Sequence, residues 1–324
     1  MDMTDRPPWL QAPLQRAVAA LATGRLAHGL LVCGAEHIGK RAFAAALAGA
    51  VLCRQRVDGT ACGRCRDCVL VAAGTHPDLR TLSYAESEKT GVLRKEIVIE
   101  QVRELAAWLA LTAQRGGALV AIIDPATAMN HHAANALLKA LEEPLPGRYL
   151  LLLCVAPAQL PATIRSRCQR IVLQPPPTAE ALAWLRRRGH AETTAAAALA
   201  AARGHPGLAA HWLDSGLIEL RQGVHADLAA IAQGRSSPLE VAAQWLGDDR
   251  AGERLQFAAE HAVERAAVAL AATAGAARSA SGDADKLATW FAAANRTREL
   301  LRTPIRGDLA LAGLLREWRL AMAG

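Results

Sequence analysis

Apolar residues alternate between two spacings over the first 174 positions and keep one spacing after that. Leu10, Leu14, Ala17, Val18 and Leu21 fall at helical intervals and predict a helix over 9–24. The next block, HGLLVC (28–33), is short, continuous and closed by Gly34, as in a strand buried on both faces. RAFAAALAGAVLC (41–53) predicts a helix, LRTLSY (79–84) a strand, and IEQVRELAAWLALTA (99–113) an amphipathic helix. ALVAIID (118–124) reads as another buried strand. HHAANALLKALEE (131–143) reads as a helix stopped by Pro144, and RYLLLLCVA (148–156) and QRIVLQ (169–174) as two more strands. Strand and helix in alternation predict an α/β, doubly wound parallel sheet. Ligands of such sheets sit beyond the carboxyl ends of the strands, where Gly34, Asp124 and Ala156 fall.

The pattern changes at QPPPT (174–178), because Pro175 to Pro177 can continue neither strand nor helix. TAEALAWLRRRG, TTAAAALAAARG and PGLAAHWLDSG then predict three short helices, each closed by a glycine. The remainder is rich in Ala and Leu and predicts a helical bundle, with GDAD (282–285) as a loop and the Ala-rich tract 266–277 as helix. Three domains follow: 1–175, 176–215 and 216–324.

Composition fits this division. Hydrophobic residues make up 52% and aromatics 4%, so Ala and Leu supply most of the apolar surface. The longest apolar runs are too short to span a bilayer, and MDMTDRPPWLQAP lacks the apolar stretch of a signal peptide. A soluble cytoplasmic chain with no membrane contact is expected. A net charge of +7 permits a nucleic-acid partner without requiring one.

GAEHIGKR (34–41) follows the first buried strand and opens a helix, the setting of a phosphate-binding loop. Gly34, Gly39 and Lys40 fit that motif, and Asp124 ends the second buried strand where a metal-binding acid belongs. Arg41 replaces the hydroxyl that holds magnesium, and Pro125 replaces the glutamate of an Asp-Glu pair. Nucleotide binding is therefore expected to be weak or absent. The glycines also suit a tight strand-to-helix turn with no ligand.

Of seven cysteines, four cluster as Cys53-x8-Cys62-x2-Cys65-x2-Cys68. Four thiolates in this spacing suit a closed tetrahedral zinc site of structural type. An iron–sulfur cluster is the rival, although its usual run places the fourth cysteine downstream, often before proline. Cys33, Cys154 and Cys168 are scattered and read as small apolar residues. SRC (166–168) lies between the last two strands. Arg167 there is either a solvated arginine or one that stabilises phosphate charge in a neighbouring subunit. The run RRR (186–188) reads as a solvated helix face and the seven tryptophans as core or interface residues. His131 and His132 have no visible metal partner.

HGLLVCGAEHIGKRAFA, the four-cysteine insertion, NALLKALEEP (135–144) and LPATIRSRCQ (160–169) together resemble bacterial clamp-loader subunits of the AAA+ class. The resemblance implies an AAA+ P-loop NTPase-like domain with a zinc-binding insertion, a small helical lid domain and an all-α collar. It implies a five-membered hetero-oligomeric ring whose partners are gamma/tau motor subunits and a delta subunit. The sliding clamp is reached indirectly, and primed DNA through the complex, within a DNA-directed DNA polymerase. It also implies that Cys53, Cys62, Cys65 and Cys68 hold zinc and that Arg167 is an arginine finger acting in trans. Motor members of the family carry Ser or Thr after the loop lysine, an Asp-Glu pair, a polar sensor where CVAPA (154–158) has none, and a sensor arginine where GHPGLA (204–209) has none. These departures point to a non-hydrolysing member. A motor subunit and a stand-alone zinc-containing DNA-binding module are the alternatives.

Overall fold

The computed structural model of the chain describes residues 6–85, 94–272, 279–301, 303 and 306–322. It divides into two compact units, Met1–His211 and Trp212–Gly324.

The first unit is built on five parallel strands: β1 (Gly29–Cys33), β2 (Leu79–Leu82), β3 (Leu119–Ile123), β4 (Arg148–Cys154) and β5 (Gln169–Val172). Their spatial order is β2-β3-β4-β1-β5. Alternate residues of a strand face opposite sides, so a sheet covered on both faces needs continuous apolar strands. β1 and β3 are buried at every position. Leu31, Cys33, Ala121, Ile123 and Leu152 face α4 (Ile99–Leu109) and α5 (His131–Glu142). Leu30, Val32, Val120, Ile122 and Leu151 face α1 (Gln11–Ala22) and α2 (Lys40–Leu52). Each leucine so buried contributes roughly 1.5–3 kcal/mol. Asn130 opens α5 by accepting the backbone N–H of Ala133 at 2.9 Å, which satisfies one of the free donors at that end.

The cysteine-rich insertion leads through α3 (Arg66–Ala72) to β2. Three helices complete the first unit or cross its boundary: α7 (Thr178–Arg187), α8 (Glu192–Ala201) and α9 (Pro206–Asp214). They follow α6 (Ala162–Arg165) and β5. Gly189, Gly204 and Gly216 follow α7, α8 and α9 with φ of 94°, 81° and 64°, a left-handed backbone that glycine adopts without steric cost.

The second unit contains α10 (Leu217–Ala232), α11 (Pro238–Trp245), α12 (Ala251–Ala272), α13 (Ser279–Leu300) and α14 (Gly307–Met322). Buried tryptophans join these helices through ring and indole N–H together. Trp318 donates to the carbonyl of Leu228 and Trp290 to that of Leu314, both at 2.9 Å, with the two rings 4.8 Å apart. Trp245 donates to Asp227 at 2.8 Å. One expectation needs correction: GDAD (282–285) is not a loop, because its backbone lies inside α13. Burial of Leu287, Trp290 and Ala294 on that helix outweighs the poor helix propensity of Gly and Asp. Of the Ala-rich tract, 266–272 is helical and 273–278 lie outside the described residues. Among the described residues no helix is long and apolar enough to cross a membrane.

Candidate functional site

The glycine loop after β1 folds onto itself. Gly34 donates its N–H to the carbonyl of Cys154 at 3.2 Å, which ties the loop to the end of β4. His37 and Gly39 take left-handed φ values of 58° and 102°. Lys40 turns its Nζ back to the carbonyls of Gly34 (2.9 Å) and Ala35 (2.8 Å). Burial pushes this ammonium below its ordinary value, and the nearby carboxylates of Asp124 and Glu36 oppose that shift. The N-terminal segment supports the loop from below: Trp9 donates its indole N–H to Ile38 at 2.9 Å and meets Trp184 of α7 edge-on at 5.0 Å.

Arg41 and Asp124 form an ion pair, Nε to Oδ2, across the mouth of the loop. These are the two positions whose side chains would hold magnesium in a motor enzyme. Here a guanidinium offsets the carboxylate directly, and Asp124 is largely buried beneath it.

The start of α9 packs against the loop. Gly207 sits so close to His37 that a Cβ there would lie 1.8 Å from the His37 carbonyl oxygen and 2.8 Å from its carbon. The His37 and His211 rings stack at 4.5 Å and 13°. Gly207→Ala is therefore expected to force the start of α9 off the loop and to destabilise the first unit by about 1–3 kcal/mol, read as a lower Tm. An unchanged Tm would show that this approach is dispensable.

Arg167 lies at the other end of the sheet. It follows α6 in a tight turn and precedes β5, whose Gln169 is in register with Leu30 of β1. Its carbonyl oxygen would be 3.3 Å from a Cβ placed on Gly29, at the start of β1. The glycine loop begins at the far end of that strand, about 16 Å away at ~3.3 Å per residue. The guanidinium of Arg167 is partly exposed. It meets Glu142 of α5 at 2.8 Å through Nη2 and the carbonyl of Thr163 at 3.0 Å through Nη1. Arg165 and Arg170 beside it are also exposed. Glu142 belongs to the same NALLKALEEP stretch that sequence reading singled out, but its pairing with Arg167 was not legible there.

The four clustered cysteines converge. Their Sγ atoms all lie within 4.8 Å of one another, with Cys53 to Cys65 at 3.8 Å and Cys62 to Cys68 at 3.9 Å. A tetrahedron with zinc–sulfur bonds of about 2.3 Å has edges of about 3.8 Å. The backbone N–H groups of Cys62 and Cys65 point at the sulfurs of Cys53 and Cys62, each at 3.4 Å, as thiolate acceptors require. Hydrogen bonds from the backbone of Arg64 and Cys65 draw the Cys62 thiol down to about 6, and burial pushes Cys68 up. The donor set fits zinc, which Cys53, Cys62, Cys65 and Cys68 would hold as a structural clamp with no open position. Asp67 of α3, the residue before Cys68, is buried between Arg115, His76 and Arg54. Asp78 accepts the N–H groups of Gln114 and Arg115 at 2.7 and 2.9 Å.

Cys33 and Cys154 are buried neighbours on β1 and β4. Arg188 lies over Trp184 and Arg186 pairs with Glu192. The His131 ring lies 3.2 Å from the Asn135 amide and meets the His132 ring edge-on at 6.0 Å.

A sequence profile for the family described as "DNA polymerase III, delta subunit" matches residues 10–177. DNA polymerase III subunit delta' of Pseudomonas aeruginosa is 43% identical over 187 residues, 57% of this chain and 54% of that protein. The chain thus spans little more than half the length of that relative. The delta' subunit of Yersinia pestis is 38% identical over 256 residues, 77% of this chain and 73% of its own. DNA polymerase III subunit tau of Salmonella typhimurium is 33% identical over 154 residues, 48% of this chain and 23% of its own. The delta' likeness thus runs past the sheet and into the helices that follow it, where the tau likeness covers less than half of the chain, and the chain belongs to the delta' family of DNA polymerase III clamp-loader subunits.

Proposed function

We propose that this chain is a non-hydrolysing clamp-loader subunit that supplies Arg167 to the ATP of an adjacent motor subunit. The observation that carries this reading is the separation of the two sites: Arg167 sits about a full strand length, ~16 Å, from the chain's own glycine loop. An arginine so placed cannot reach a phosphate in its own loop. Its guanidinium is partly exposed, and its pair with Glu142 is open to solvent on both sides, so an outside phosphate can replace that carboxylate. The partners in this reading are gamma/tau motor subunits and a delta subunit in a five-membered ring, with the sliding clamp and primed DNA reached through the complex. Residues 1–175 form the sheet domain, 176–215 the lid and 216–324 the collar.

The chain's own loop is set aside from catalysis in the same reading. Lys40 is engaged by loop carbonyls, and Arg41 takes the carboxylate that would hold a metal. The purified chain is expected to show no ATP turnover above background, and Arg41→Thr alone should not restore it, since Pro125 still replaces the glutamate. Turnover by the unmodified chain near ~1 per second, an ordinary phosphoryl-transfer rate, would overturn this part of the reading.

Zinc at Cys53, Cys62, Cys65 and Cys68 completes the proposal. The 3.8 and 3.9 Å sulfur separations support it. The metal would hold the insertion against α2 and the edge of the sheet, and it would take no part in nucleotide chemistry.

A further inference from the structure

A second group of metal-ligating side chains lies in the helical unit, far in sequence from the cysteines. His261 and Glu264 stand three residues apart on α12, so they share one face of that helix. His225 of α10 meets them. One donor atom from each of the three lies within 4.8 Å of the others. The two imidazole rings are 4.1 Å apart at a tilt of 43°.

Two of the ring nitrogens are buried without a partner. Nε2 of His225 and Nδ1 of His261 make no hydrogen bond among the described residues. Buried polar atoms left in this state often mark an ion or water. The third donor is already oriented: Nη2 of Arg221 holds the two oxygens of Glu264 at 2.7 and 2.9 Å. Carboxylates that bind metals are commonly held in this way by a further hydrogen bond. Burial first, and then the charges of His261 and Arg221, keep the His225 imidazole down at about 4. Burial first, then Arg265, lowers His261 as well. Burial disfavours the charged form of both rings.

We propose that His225, His261 and Glu264 form a second metal site, which takes one divalent ion of the zinc, cobalt or nickel class. Two imidazoles and one carboxylate are the donor set of a three-ligand site with a fourth position open to water. The ion would tie α10 to α12. The cations of Arg221 and Arg265 oppose it, so its affinity should fall below that of the four-thiolate cluster.

The test uses the full chain with its cysteines loaded with one equivalent of zinc. Cobalt(II) is then titrated under equilibrium dialysis and followed by absorption. The expected result is one further equivalent of cobalt, free of thiolate charge-transfer bands, with a higher Tm. Cobalt that enters the cysteines instead would carry those bands, so the two sites are read separately even if the zinc reading fails. His225→Ala and Glu264→Gln should each weaken the second equivalent by at least about tenfold and leave the first in place. Glu264→Gln is close in shape, and circular dichroism checks that both variants keep their helices. No second equivalent, or one unchanged in a folded variant, would overturn the site and leave a buried water as the partner of the two nitrogens.

Discussion

Arg167→Ala in a reconstituted clamp loader should slow ATP hydrolysis at the one site it faces by about 10³–10⁵, the range for loss of an arginine finger. A finger stabilises charge that develops on the transferring phosphoryl group, so its loss appears in turnover more than in nucleotide affinity. The other motor sites keep their own arginines, and total turnover should fall only by the share of this site. Arg167→Lys should rescue little, because a point charge does not replace a planar fork of donors. A structural role would look different. The pair with Glu142 is partly exposed on both sides, and pairs of this kind contribute about 0–1 kcal/mol. The variant should therefore assemble normally and keep its Tm. Full clamp- and DNA-stimulated activity in a correctly assembled Arg167→Ala complex would remove the central assignment.

Glu142 gives that experiment a second arm. In the free subunit its carboxylate holds Nη2 of Arg167, while Thr163 holds Nη1. Delivery in trans requires the guanidinium to exchange Glu142 for phosphate oxygens. Removing the carboxylate frees the arginine, which lowers the cost of release and loosens its aim. Glu142→Gln should accordingly shift activity far less than Arg167→Ala does.

The strands and most helices could be read from residue patterns because burial on both faces leaves a continuous apolar signature. GLLVC and LVAII are two examples, and both became strands buried throughout. The glycine stops after α7, α8 and α9 were equally plain, since left-handed backbone selects glycine. GDAD misled because propensity is local, whereas the helix through it is set by apolar residues further along α13. The loop's losses at Arg41 and Pro125 were visible as substitutions. That Arg41 pairs with Asp124 depends on strand order, β1 and β3 being brought to the same edge with β4 between them. The opposite placement of Arg167 also needed strand register, which no spacing supplies. His261 and Glu264 show a suggestive interval, but the third ligand arrives from another helix, 36 positions earlier in the chain.

Removing the zinc proposed for the cysteine cluster should produce the largest loss of stability in the chain. Apparent binding free energies of structural zinc in small modules are about 10–16 kcal/mol at pH 7, and that free energy is folding free energy for the segment it organises. The insertion here has few other means of holding its shape. Residues 54–66 contain one isolated bridge, Val57 with Thr60, and most of their side chains face solvent. Its other ties are the bonds of Arg56 to the carbonyls of Ala50 and Val51, and Asp67, which pairs with Arg54, Arg115 and His76. Chelation or Cys68→Ser should therefore open residues 54–66 to protease first. A loss of about 3 kcal/mol, a modest share of the binding term, would lower the Tm of a unit this size by roughly 6–12 °C. Burial keeps the Cys68 thiol protonated at neutral pH without metal, so zinc uptake should release protons and weaken as pH falls. Calorimetry with and without chelator, metal analysis and proton release in weakly buffered solution check these outcomes together. A chain free of zinc as isolated, with a Tm indifferent to chelator, would overturn the site, and a brown protein containing iron would replace zinc with an iron–sulfur cluster on the same four sulfurs.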